Sequence, residues 1–140
     1  MTFRCFIQEQ KPIPGSAAQP VRYPACEWLG EEGVVDHRHP MNRFVGSWFT
    51  RDLSERARCD EVLRVIAQLE AGLLTQWFVD GDAFNVDLQA DHVQFNPSHV
   101  GPGDAAYWNQ PDGRFTLDAL KAWLCVWRDF LVTGEMPETT

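Results

Sequence analysis

Two histidines one residue apart, His37 and His39 in the segment Asp36-His37-Arg38-His39, come nearest to a metal site in this 140-residue chain. In an extended segment alternate side chains share one side, so both imidazoles can face a single cation. A closed site needs a third and a fourth ligand, and His92 and His99 fall in other predicted elements. Arg38 between the two also makes a bound cation electrostatically costlier. A metal-binding reading of His37 and His39 therefore stands behind that of a solvated loop. The run Asp80-Gly81-Asp82-Ala83-Phe84 begins like a calcium loop, but Phe84 stands where the next oxygen ligand is needed. It reads as a hairpin turn.

Nucleophilic chemistry has no better support. Ser47 follows Gly46 without a predictable base, and no nucleophile elbow, phosphate loop, dinucleotide fingerprint or zinc-protease helix is present. Nothing in the spacing pairs Cys5 with His37 as thiol and imidazole. Glu31-Glu32 and Asp60-Glu61 are adjacent in sequence and read as solvated groups, not as a matched acid and base. The four cysteines, Cys5, Cys26, Cys59 and Cys125, form no CxxC pair. Cys59 and Cys125 fall in predicted helices and read as buried thiols. The expectation is a protein that is not an enzyme and needs no cofactor.

Charge is more informative. The formal net charge is −8, which repels phosphate backbones and anionic membranes and leaves a basic protein as the compatible partner. Acidity for solubility alone is the competing reading. No Lys or Arg occurs between Arg64 and Arg114, whereas Glu70, Asp80, Asp82, Asp87, Asp91, Asp104 and Asp112 all do. If these acids share an exposed face, they steer a cationic partner; otherwise they only solvate the surface. The expected partner-binding set is Asp80, Asp82, Asp87, Asp91, Asp104 and Asp112, with Tyr107 and Trp108 as aromatic anchors in a loop. Trp28 also falls in a predicted loop, while Trp48, Trp77, Trp123 and Trp127 fall on apolar faces.

The elements that must position these residues can be read from periodicity. Residues 3–8 read as a strand, 11–20 as a Pro-rich loop, 21–23 as a short strand and 24–40 as irregular. The segment Phe44-Val45-Gly46-Ser47-Trp48-Phe49 reads as a buried strand or turn. A helix is expected over about 53–71, with Asp52 or Ser54 as its cap, Gly72 as its stop and Val62, Ile66, Leu69 and Leu73 on its apolar stripe. Alternation over 75–79, 84–88 and 93–95 predicts an antiparallel meander, followed by a loop over 97–113. Thr116 caps a last helix that ends at Gly134, with Phe115 and Leu120 as a hydrophobic staple. The fold class is α+β: an antiparallel β-sheet with two main helices packed on one face. Residues 1–140 are expected to form a single domain. Within it, 1–43 supply a strand and Pro/Gly-rich loops, 44–134 the core and 135–140 a frayed tail. No leader and no apolar run of bilayer length is seen, so the expected location is cytoplasmic.

The segment 44–49, the helix ending Gln68-Leu69-Glu70-Ala71-Gly72, residues 77–95 and the closing Phe115-Thr116-Leu117 … Trp127-Arg128-Asp129-Phe130-Leu131 resemble the small YacL-like family. They also resemble immunity proteins of contact-dependent growth inhibition and related polymorphic toxin systems. The resemblance covers residues 44–134 and implies an α+β fold of this order. For the immunity members it implies a cytoplasmic protein that binds and neutralises one cognate toxin domain, often a nuclease. The expected function is that of an immunity protein acting on a basic toxin through an acidic surface. The alternatives are a housekeeping YacL-like adaptor and a metal-binding protein using His37 and His39.

Overall fold

The Pro-rich loop at 11–20 separates two β-prone runs, and they pair. In the computed structural model, which describes residues 1–135, β1 (Thr2–Gln10) and β2 (Val21–Leu29) form an antiparallel hairpin in register from Thr2↔Leu29 to Gln10↔Val21. The second strand thus runs through a stretch expected to be irregular, in spite of Pro24. Cys26 N–H donates to Thr50 Oγ1 at 3.3 Å and Trp28 N–H to Asn42 Oδ1 at 2.6 Å, so these groups point away from β1. Pro24 has the same orientation two residues earlier, and its missing N–H removes no bond between the strands.

The segment expected as a strand or turn at 44–49 is helical. A wide π-helical turn over Met41–Gly46 runs directly into α1 (Ser47–Asp52). Phe44, Val45, Trp48 and Phe49 are all buried, at i, i+1, i+4 and i+5, which is one helical stripe. So short an apolar run has no period that separates helix from strand, and packing against β2 decides it. Gly46 packs closely on β2: a Cβ there would lie 3.3 Å from the Cys26 carbonyl oxygen.

The next helix, α2, spans Arg56–Glu70, later than expected, and neither Asp52 nor Ser54 caps it. Leu53 N–H closes α1 by donating to Trp48 O at 3.2 Å. Its carbonyl accepts from Trp127 Nε1 at 2.8 Å and from Cys59 Sγ at 3.4 Å. The chain turns a corner at that buried carbonyl before α2 can begin. Gly72, in the left-handed region at φ 75°, stops the helix as expected. Leu73 beyond it is 75% exposed and lies off the apolar stripe assigned to it.

The meander forms as expected: β3 (Gln76–Asp80), β4 (Phe84–Gln89) and β5 (His92–Pro97), all antiparallel. A short β6 (Arg114–Thr116) adds a fourth strand in the order β3-β4-β5-β6. It leads into α3 (Leu117–Thr133), whose cap Thr116 accepts from Ala119 N at 3.1 Å and which ends at Gly134 with φ 71°. Leu120, Leu124 and Trp127 face inward, whereas Cys125 is exposed, contrary to its expected burial. Ion pairs join α2 to α3: Arg128 Nε lies 2.9 Å from Asp60 Oδ1 and Lys121 Nζ 2.9 Å from Glu70 Oε1.

The α+β class holds, with two antiparallel sheets of two and four strands and three helices among the described residues in place of one sheet and two helices. Phe95 anchors the inner sheet face, edge-on to Trp48 at 5.4 Å and to Phe115 at 5.8 Å. The core continues into the hairpin through Cys5, Cys26 and Trp28. Trp28, expected in a loop, is 2% exposed, stacked on Phe3 at 4.3 Å and edge-on to Trp123 at 5.1 Å. Of the tail expected to fray at 135–140, residues 136–140 lie outside the described residues.

Candidate functional site

The β3–β4 turn brings Asp80 and Asp82 against the helical layer. Together with Asp52 from the end of α1 and Glu61 from α2, they surround a cleft of about 140 Å³. Trp48, Leu53, Val62, Trp77 and Val79 supply its apolar walls, and Arg58 is the cation among its lining residues. The turn needs glycine at 81, because a Cβ there would lie 2.5 Å from Asp52 Oδ2 and 2.8 Å from the Phe84 carbonyl oxygen. Asp52 Oδ2 is buried and has no hydrogen-bond partner among the described residues. Burial, followed by the nearby Asp82 charge, raises the Asp52 carboxyl above its ordinary range, with Arg58 and Arg51 opposing the shift. In the sequence Asp52 reads only as a helix cap, and no spacing signal ties it to a turn about thirty residues away.

A carboxyl group raised in the folded state holds its proton more tightly there than in the unfolded chain. Its contribution favours the fold in acid and is lost as pH rises through the raised pKa. Asp52→Asn is therefore expected to melt at a higher temperature than the wild type at neutral pH. The advantage should shrink as pH falls toward about 4, the ordinary carboxylate range. A melting difference that stays constant from pH 4 to 8 would remove Asp52 as the source.

The remaining acids are dispersed. Asp87 lies on the outer sheet face, where it accepts from Gln76 Nε2 at 2.8 Å and Gln89 Nε2 at 3.2 Å. Pairing across the sheet sets Phe78, Asp87, Gln94 and Arg114 in one row. Asp91 occupies the β4–β5 turn at the opposite end of the sheet from Asp80 and Asp82, 2.7 Å from His92 Nδ1. That hydrogen bond is the main cause holding its carboxyl below the usual range.

Asp104 and Tyr107 lie in the 97–113 loop. With Arg43, Phe84, His99 and Val100 they line an open hollow of about 550 Å³. Tyr107, Arg43 and Asp112 also line a smaller hollow of about 250 Å³. The guanidinium of Arg43 stacks 4.7 Å over the Phe44 ring. Tyr107 is 64% exposed, whereas Trp108 is half-buried.

The loop is held on the outer sheet face by buried amides. Asn109 N–H donates to Asn96 Oδ1 at 2.7 Å, and Gln94 Nε2 donates to Gln110 O at 3.0 Å. Its start is tied to the β3–β4 turn, with Ser98 Oγ donating to Asp82 O at 3.0 Å and Ser98 N–H to Ala83 O at 3.1 Å. Asp80, Asp82 and the beginning of this loop therefore share one end of the sheet. The stretch without basic residues is not without them in space, because Arg58, Arg43 and Arg114 stand among its acids.

The histidine pair forms a different local structure. His39 Nδ1 accepts from Met41 N–H at 3.2 Å, and His37 is exposed beside Arg43 and Arg51. Among the described residues no three His, Cys, Asp or Glu side chains come together to hold a metal ion. Cys5 is buried away from solvent, and burial pushes its thiol up to about 12, which disfavours the thiolate needed for attack.

Among the described residues no helix is long and apolar enough to cross a membrane. No family model matches the chain, and no solved structure matches it. The chain is similar to a bacterial protein, the UPF0231 protein of Shewanella amazonensis (strain ATCC BAA-1098 / SB2B), with 29% identity over 113 residues that cover 74% of this chain and 91% of the relative.

Proposed function

We propose that the protein is a non-catalytic binding protein that receives a basic protein partner at the cleft formed by Asp52, Glu61, Asp80 and Asp82. In the finer form of this reading the partner is a toxin domain of a contact-dependent growth inhibition system, and the protein neutralises it as an immunity protein in the cytoplasm. The observation that carries the reading is the convergence of four carboxylates from three chain segments on one cleft with tryptophan walls. A lysine or arginine side chain fits such a site, since its aliphatic stem can lie against the half-buried Trp77 while its charge meets the acids at the rim. Exposed Asp80 and Asp82 supply the outward field that steers the encounter. Asp104 and Tyr107 extend the contact along the same end of the sheet, with Trp108 and Asp112 further along the loop.

Co-expression with the toxin domain encoded by the neighbouring reading frame tests the immunity reading. Restored growth of a bacterial host and a complex that survives purification are expected. Growth arrest despite full expression, with no complex recovered, overturns it. The likeness to the UPF0231 protein, which spans 91% of that relative, favours one second reading, a housekeeping adaptor with the same cleft and a different basic partner. That reading gains if the toxin domain is ignored while an arginine-rich peptide still binds at the cleft.

A further inference from the structure

Cys5 and Cys26 stand directly opposite one another in the β1–β2 ladder. The N–H of Cys26 is turned away from β1 toward Thr50 Oγ1 at 3.3 Å, and that of Trp28 toward Asn42 Oδ1 at 2.6 Å. A strand residue whose N–H points away from its partner strand belongs to a non-hydrogen-bonded pair. In such a pair the Cα atoms lie about 4.5 Å apart and the side chains leave the same face. That separation falls within the range of about 4.4–6.8 Å that a disulfide spans. Both side chains are buried, at 6% and 7% exposure, on the core side of the hairpin.

We propose that Cys5 and Cys26 form a site of reversible oxidation to a cross-strand disulfide, the co-reactant being a small-molecule disulfide such as oxidised glutathione. Cys26 is the entry point. Its strand borders a hollow of about 390 Å³ beside the 41–52 helical segment, lined also by His37, Arg43, Arg51 and Glu27. Its Sγ lies on the core side, 3.8 Å from the Gly46 carbonyl oxygen, so reaction requires β2 to part locally from that segment. The two arginines suit an anionic disulfide.

Cys26 loses its proton to water, and its thiolate attacks one sulfur of the co-reactant, breaking that S–S bond and releasing one thiolate. Cys5 then loses its proton and attacks Cys26 Sγ in the mixed disulfide, releasing the second. Two protein thiols are oxidised by two electrons, and one small disulfide is reduced to two thiols, which take up the two protons. Burial raises both thiols well above their ordinary range, Cys5 to about 12. The reaction is consequently slow at neutral pH and accelerates about tenfold per pH unit with the thiolate fraction. This inference is independent of the partner-binding reading.

The test uses the whole protein, incubated with oxidised glutathione at pH 7 and pH 8, quenched in acid, unfolded, alkylated and digested with trypsin. Cleavage after Arg4, Arg22 and Arg38 leaves Cys5 in residues 5–22 and Cys26 in residues 23–38. The expected product is these two peptides joined, formed about tenfold faster at pH 8. The loss of two alkylatable thiols and a raised Tm should accompany it, both reversed by dithiothreitol. Cys125→Ser removes the exposed competitor and should leave the linkage intact. Recovery of both Cys5 and Cys26 as alkylated thiols, with glutathione on Cys125 alone, overturns the proposal. So does a Cys26–Cys59 linkage.

Discussion

Reversing Asp80 and Asp82 together to lysine is expected to slow association with an octa-arginine peptide by about tenfold or more at low salt. Electrostatic steering typically accelerates encounter by about 10- to 1000-fold, and these two exposed carboxylates head a cleft whose acids outnumber Arg58, the cation that lines it. The wild-type rate should itself fall steeply with added salt, because the Debye length shortens from about 30 Å at 0.01 M to about 8 Å at physiological ionic strength. The variant should be much flatter across the same range. Asp91→Lys provides the control. It removes a carboxylate at the far end of the sheet that already engages His92, and should have a clearly smaller effect per charge. Equal slowing per charge from Asp91 would mean that net charge alone drives binding, and the cleft would lose its assignment. Stopped-flow fluorescence resolves the two cases, provided that circular dichroism shows both variants folded.

Trp127→Ala is expected to cost about 3–5 kcal/mol of folding stability, the range for removing a large aromatic side chain from a core. Trp127 is fully buried and stacked between Phe49 and Phe130 at 6.3 and 6.1 Å. Its indole also donates to the Leu53 carbonyl, the corner on which α1 ends before α2 begins. Truncation thus opens a cavity and weakens the joint between two helices at once. Domains of this size are stable by about 5–15 kcal/mol, so the loss is a large fraction of the total. Trp127→Phe separates the two effects. It keeps most of the ring packing and should cost about 1–3 kcal/mol, the consequence of a buried carbonyl losing a donor. Urea unfolding measures both, and a loss below about 1 kcal/mol for the alanine variant would contradict the packing account.

The long elements were legible because their periodicity runs for several turns or residues. Val86 and Leu88 alternate cleanly with Asn85 and Asp87, and the buried positions follow that alternation. The α3 helix shows its cap at Thr116 and its stop at Gly134, and both appear where expected. The N-terminal half was less legible, for identifiable reasons. Pro24 suggested a break, yet its nitrogen lies on the unpaired edge of β2, a fact visible only once the hairpin is formed. The run at 44–49 is too short to fix its own period. Leu53 reads as the start of a helix, but its carbonyl is claimed by a tryptophan 74 residues later.

The candidate site divides in the same way. Asp80, Asp82, Asp104 and Tyr107 could be singled out by their charge, their turn position and the loop that holds them. Asp52 could not, because nothing local marks a residue that becomes part of a site by lying against a distant turn.

By itself the sequence determined that this chain is α+β, strongly acidic, and without a nucleophile elbow, phosphate loop, dinucleotide fingerprint or zinc-protease helix. It also determined that the acids concentrate between Arg64 and Arg114. Those properties follow from residue type and short-range spacing, which the chain carries whether or not it is folded. Only the tertiary structure decided which charges are neighbours. Pairing of β5 with β6 sets Arg114 in the row of Asp87, and packing of helices against strands brings Arg58 and Arg43 to the other acids. It also gathers Asp52, Glu61, Asp80 and Asp82 at one cleft while sending Asp91 to the opposite end of the sheet. The physical reason is that Coulomb interaction depends on distance and burial, and both are set by long-range contacts that no local pattern encodes.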